Sequence, residues 1–206
     1  SKYTNFAIAA STLNISSSTQ QLKFSVPMQF GFDGRNPARA LSTGTSISAA
    51  NTSGFDCSTS TTSGTTAYKK ALNAIGNPDE YDINMLVTPG IIHKHHSVVS
   101  NHAISKVESR ADAFYVLDGN DIDDNVATAV NNVVSLDTNF VATYYPWVKM
   151  DNPAGNGQIY VPPSVVIAGV ISFTDSVAHE WFAPAGLNRG GLTNVRMTKK
   201  KLTHTD

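Results

Sequence analysis

Apolar and polar positions change rhythm along this chain, and the changes mark out its elements. YDINMLVTP (81–89), AFYVLDG (113–119) and NFVATYYPWVKM (139–150) each hold a nearly unbroken apolar stretch, as strands buried on both faces do. Helix-length segments lie between them. ISKVESRADA (104–113) closes a helix that begins near Ser97. DIDDNVATAVNNVVSLD (121–137) sets Val126, Ala129, Val130 and Val133 along one side, with acidic residues in its first turn. Earlier, LKFSVPMQFGF (22–32) alternates as a strand does until Asp33-Gly34 breaks it. TTAYKKALNAIGNPDE (65–80) predicts a helix capped by Thr65 or Thr66, with Ala67, Tyr68, Ala71, Leu72 and Ile75 on one face and an end at Gly76 and Pro78. IYVPPSVVIAGVISFTDSVAHEW (159–181) reads as a short strand, then Pro162-Pro163, Ser164 as N-cap, and a helix apolar nearly all round that belongs in the middle of the molecule.

Strands alternating with helices predict an α/β fold of three layers, with a mainly parallel sheet covered by helices on both faces. Residues 35–64 are rich in Ser, Thr, Gly and Asn. They predict a surface loop or small hairpin excursion from a domain spanning 22–206, while 1–21 read as a strand or the remnant of a preceding domain.

Composition narrows the functions. The chain has 206 residues and a formal net charge of −1, so no charge excess draws it to nucleic acid or anionic lipid. Its longest apolar stretch, VVIAGVISF (165–173), is too short to span a bilayer. Cys57 is the single cysteine, which excludes an internal disulfide and fits assembly in a reducing compartment.

Two stretches invite chemistry. IIHKHHSVVSNH (91–102) holds His93, His95, His96 and His102, and ligands gather where strands of an open sheet end. An extended HKHH would put His93 and His95 on one side and His96 on the other, with no carboxylate within a helical turn. The reading is a solvated loop with no metal, in which replacing the three histidines by Ala leaves the melting temperature unchanged. Asp33, the histidines and Ser164 follow the chain order Asp, His, Ser of subtilisin-type proteases. Pro162-Pro163 stand where that pattern has Gly-Thr, and no histidine follows on the helix after the Asp33 strand. Ser164 is therefore expected to be a helix cap, and no catalytic residue or cofactor is assigned.

Four motifs in order, QFGFDG (29–34), YDINMLVTPG (81–90), YYPWVKMDNPAGNGQIYVPPSVVIAGV (144–170) and WFAPAGLNRGGL (181–192), resemble the contractile tail sheath proteins of phages. The resemblance covers about residues 22–192. It rests on Phe32, Asp33, Gly34, Pro89, Gly90, Pro146, Trp147, Pro162, Pro163, Ser164, Gly169, Trp181, Pro184, Ala185, Gly186, Asn188 and Gly190. It implies a subtilisin-like fold without proteolysis. The subunit would pack with copies of itself as hexameric rings around a tail tube, in the virion after assembly in the host cytoplasm, and would contract on a baseplate signal. The segments of that family which reach the tube and exchange strands are not matched here, so a monomeric fragment is expected. Trp147, Trp181 and Phe182 are expected as anchors, the last two packing the end of the central helix against the sheet, with a subunit contact as the alternative.

Overall fold

The computed structural model describes residues 46–52, 54–153 and 157–205, all within the compact unit Pro37–Asp206. The readings on residues 1–45, including Phe32, Asp33 and Gly34, lie outside the described residues.

The described chain is a mixed α/β fold. Strands β1 (Met85–Ile92), β2 (Phe114–Asp118) and β3 (Val141–Thr143) form a parallel sheet in the order β1-β2-β3. Helices α2 (His93–Arg110) and α3 (Val126–Val133) make the two crossovers, and α1 (Ser63–Ala74) packs on α2. A second, antiparallel sheet has the order β5-β4-β6, from β4 (Val148–Asp151), β5 (Gln158–Val161) and β6 (Val195–Thr198). Helix α4 (Ser164–Val177) lies against β1 and β2, and the short α5 (Gly186–Arg189) follows it.

The apolar runs fold for the expected reason, since Tyr115, Val116 and Leu117 of β2 are buried on both faces. They join Ile91, Val99, Val107 and Leu72 in the core. Elsewhere the boundaries move. The expected strand 139–150 is two strands in different sheets, because Pro146 has no N–H for a ladder and Pro146-Trp147 turn the buried chain between them. In α3 the acidic residues precede the helix instead of filling its first turn, and Asn125 caps it by accepting from the Thr128 N–H at 2.8 Å. Val130 faces solvent there, while Ala129 is buried. Helix α1 starts at Ser63, ahead of Thr65 and Thr66, and buries Gly64, Thr65 and Leu72, leaving Ala67 and Ala71 outside. Part of the Ser/Thr-rich excursion belongs to the core, since Thr52 and Cys57 are buried.

The Pro89-Gly90 motif has a local cause. Val87 pairs with Val116 and Ile92 with Asp118, so Thr88–Ile91 face only Leu117 and β1 bulges. Pro89 cannot donate to a ladder, and Gly90 takes φ 95°, a value that side chains disfavour. The freed Gly90 carbonyl accepts from Thr52 Oγ1 at 2.5 Å, which ties the excursion to the sheet.

At the opposite end of the sheet, Arg110 closes α2. Its buried guanidinium donates to the Ile75 carbonyl at 2.6 Å and the Tyr81 carbonyl at 2.7 Å, and makes a bidentate pair with Asp112. One side chain thus joins the end of α1, the approach to β1 and the start of β2. Arg110→Ala leaves two backbone carbonyls without their donor and is expected to cost about 2–4 kcal/mol in urea unfolding. A loss under about 0.5 kcal/mol would show that water replaces the guanidinium.

Candidate functional site

The carboxyl end of the parallel sheet is the place to look for chemistry, and β2 delivers a carboxylate there. Asp118, the last residue of β2, is 3% exposed. It accepts from the Ser164 N–H at 3.1 Å and the Ser164 hydroxyl at 2.6 Å. Ser164 is the first helical residue of α4 and Pro163 is its N-cap, so the serine does not cap the helix as expected. Asp118 does so instead, reaching across from the sheet to satisfy a terminal N–H. Burial raises the Asp118 carboxyl to about 6, against the opposing pull of the two Ser164 hydrogen bonds.

Beyond Asp118 the chain turns through a polar loop. The Asn120 carbonyl accepts from the indole N–H of Trp147 at 2.9 Å, which makes Trp147 a buried anchor of β4, as expected. Asp121 and Asp124 both pair with Lys94, at 3.2 and 2.7 Å. Burial pushes Asp124 up, but Lys94 and the Asp121 N–H outweigh it and hold the carboxyl below its ordinary value. Tyr145 donates its hydroxyl to the Asp124 carbonyl at 2.9 Å.

HKHH is not the solvated loop that was expected. It forms the first turn of α2, which starts at His93, and both His93 and His96 are buried. The rings turn to different partners: His93 Nδ1 to the Ser100 hydroxyl at 2.8 Å, His95 Nε2 to Asp121 at 2.6 Å, His96 to the Ile92 N–H and the Ser48 carbonyl. His102 lies farther along α2, bonded to Asn73. Among the described residues no three His, Cys, Asp or Glu side chains converge on a point that could hold a metal ion. None of these histidines bonds Ser164, whose hydroxyl is donated to Asp118 and has no exposed surface. Replacing the three histidines by Ala would therefore unfold packing and break hydrogen bonds, contrary to the neutral outcome expected of a loop.

The second candidate is a surface. Val165, Gly169, Phe173 and Val177 recur every four residues and form one stripe along α4. Val165, Phe173 and Val177 are exposed, so α4 is not the central, fully covered helix that its apolar composition predicts. Beyond the helix end, Trp181 is 79% exposed and stacked on His179 with ring centres 4.4 Å apart. Phe182 is exposed also, under the Arg189 guanidinium at 5.1 Å. Neither aromatic packs the helix end into the core, which overturns their expected role. A groove of about 470 Å³ runs between this stripe and residues 187–195, lined by Met150, Val166, Phe173, Leu187, Leu192 and Val195.

The motif residues thus separate into two groups. Pro89, Gly90, Pro146, Trp147, Pro162, Pro163 and Ser164 build the strand ends and the buried head of α4. Gly169, Trp181, Pro184, Ala185, Gly186, Asn188 and Gly190 belong to the exposed face and the arm that follows it, with Gly190 half-buried. Gly190 is fixed by close approach, since a Cβ there would meet the Pro184 carbonyl oxygen and Ala185 Cα at 3.0 Å. Asp118 escaped the sequence reading, although a carboxylate closing the apolar run FYVLD just before Gly119 is a signal that could have found it.

No family model matches the chain, and no curated protein matches it. No helix among the described residues is long and apolar enough to cross a membrane.

The Asp118–Ser164 geometry makes two predictions. Asp118 carries a raised pKa, so its contribution to stability is full below 3.8, its ordinary value, and is lost as pH rises through about 6. Asp118→Asn cannot ionise, so wild type should gain about 2 kcal/mol relative to this variant between pH 7 and pH 4 in urea titrations. A gap that does not change with pH would mean that Asp118 titrates normally. Ser164, enclosed and donating to a carboxylate, should resist a fluorophosphonate probe at neutral pH. Labelling that Ser164→Ala abolishes would establish a nucleophile.

Proposed function

We propose that this chain is the α/β domain of a contractile phage tail sheath subunit, subtilisin-like in its three-layer arrangement and without catalysis of its own. The observation that carries this reading is the apolar stripe on α4 together with Trp181, Phe182 and Leu187 beyond the helix end. Leu187 is fully exposed. Apolar side chains gathered along one helix face and the arm after it mark a surface that another protein covers. In this reading the cover is the neighbouring sheath subunit of a ring of six around the tail tube, and the motif WFAPAGLNRGGL is the arm that makes the contact. Aromatic residues are enriched at the centres of such contacts.

The polar interior supports the same reading. Ser164 and the histidines hold backbone and side-chain partners within the domain, which suits a block that moves as a unit. Contraction would reorder contacts between rigid subunits, with the energy stored as the difference between two packings of one lattice. Such a cycle consumes no nucleotide or cofactor.

The complete gene product should form long hollow tubes in negative-stain electron microscopy. The 206-residue chain by itself, without partners that exchange strands, should sediment as a monomer near 22.0 kDa. Val177→Asp with Trp181→Asp should leave the melting temperature within a degree or two, because both side chains are exposed, and should abolish the tubes. Tubes unaffected by this pair would move the contact elsewhere, and a gene product that never polymerises would refute the sheath reading.

A further inference from the structure

His96 stands at a break in its own helix. Its backbone leaves helical geometry, φ −120° and ψ 39°, between the first turn of α2 and the remainder. The ring is 1% exposed. Nδ1 faces the Ile92 N–H at 3.0 Å, a group that can only donate, so Nδ1 carries no proton. Nε2 therefore carries it and donates to the Ser48 carbonyl at 3.1 Å. Two backbone groups thus fix a neutral ring in one tautomer, and the ring joins the β1–α2 corner to the excursion before α1.

That excursion has further ties, among them the edge-to-face contact of Phe55 with Tyr68 of α1. The Ser48–Asn51 and Thr52–Phe55 bridges close it on itself. Thr52 bonds the Gly90 carbonyl, and Cys57 enters the core beside α1.

We propose that His96 is an acid-sensitive latch: a proton on Nδ1 turns that acceptor into a donor facing the Ile92 N–H, breaks the bond, and lets the segment that carries Ser48, Thr52 and Cys57 detach from the sheet. The groups around the ring act on that proton in both directions, and the balance within the fold is against it. From α2, His95 lies 6.0 Å away, edge to face, and repels a charge on His96. From the loop before α3, Asp121 would attract one, but its carboxylate is already engaged by His95 and Lys94. From the excursion, the Ser48 and Ala49 carbonyls favour protonation, and from β1 only the Ile92 N–H is presented. Burial is the largest influence and holds the ring below its ordinary 6.5. The sign follows: the latch contributes fully above 6.5 and is lost as pH falls towards the folded value.

Cys57 reports the opening. It is the only cysteine, is 2% exposed, and lies at the end of the latched segment. Its reaction with 4,4′-dithiodipyridine, which proceeds in acid, gives a protection factor when divided by the rate for urea-unfolded protein at the same pH. Protection should fall by up to about tenfold for each pH unit below 6.5, while the far-ultraviolet circular dichroism stays constant. His96→Gln keeps a donor for Ser48 but does not titrate, so its protection should be flat across the same range. His93→Gln serves as the control and should keep the wild-type slope. A flat wild-type profile overturns the latch, as does a His96→Gln profile with the wild-type slope. If His96→Gln does not fold, imidazole ¹⁵N shifts of wild type decide the matter. A His96 midpoint at the pH where Cys57 protection stops falling supports the latch, and one displaced from that pH by a unit or more removes it.

Discussion

The contact between Asp118 and Ser164 fixes the relation of sheet to helix on which the rest of the described structure depends. Asp118 ends the central strand of the parallel sheet, and Ser164 begins α4. A helix that starts in a buried place has N–H groups that need acceptors, and the prolines ahead of Ser164 supply no side-chain oxygen. The carboxylate meets that need at the cost of burying a charge, which is why its pKa is raised. Once α4 is set at this angle, its exposed stripe, the groove beside it and the arm from Trp181 to Gly190 take their places. Trp147 makes the matching tie for the second sheet through the Asn120 carbonyl, two residues beyond Asp118.

Around the apolar core, several polar groups are buried and several large apolar groups are exposed. Polar groups with a chemical repertoire, Asp118, Ser164, His93 and His96, lie inside, where each has a hydrogen-bond partner. Large apolar groups, Phe173, Val177, Trp181 and Leu187, lie outside. A buried polar network that is fully satisfied gives rigidity and a unique arrangement. An uncovered apolar face has no such internal purpose, and its position along one helix and one arm is what a surface awaiting another protein requires. The buried titrating groups also pull in opposite directions, because Asp118 loses stability as pH rises through about 6 while His93 and His96 lose it as pH falls below 6.5.

Strand 113–119 was legible because Phe114 to Leu117 are apolar at every position, a pattern only a two-faced burial explains. The later part of α2 was legible too, as a helix read from near Ser97, although it ends at Arg110 and not at 113. Its start was not. Ile92 precedes it, where a capping residue would have announced the helix, and the histidines that fill the first turn carry no strong preference for helix. Pro146 lies inside 139–150, which reads as one strand, and nothing local indicates that the two halves enter different sheets.

By itself, then, the sequence determined the alternation of apolar strands and helices, because it follows from a periodicity within a few residues. Tertiary structure alone decided that Asp118 meets Ser164 across 46 positions, that His96 reaches Ser48, and that one side of α4 remains open. The physical reason is that a partner's identity depends on which chain segments the fold brings within about 3 Å, a distance that hydrogen bonds require and that sequence spacing does not encode. For α4 the ambiguity is deeper. A helix apolar all round must be covered, and composition is the same whether the cover is its own domain or another molecule.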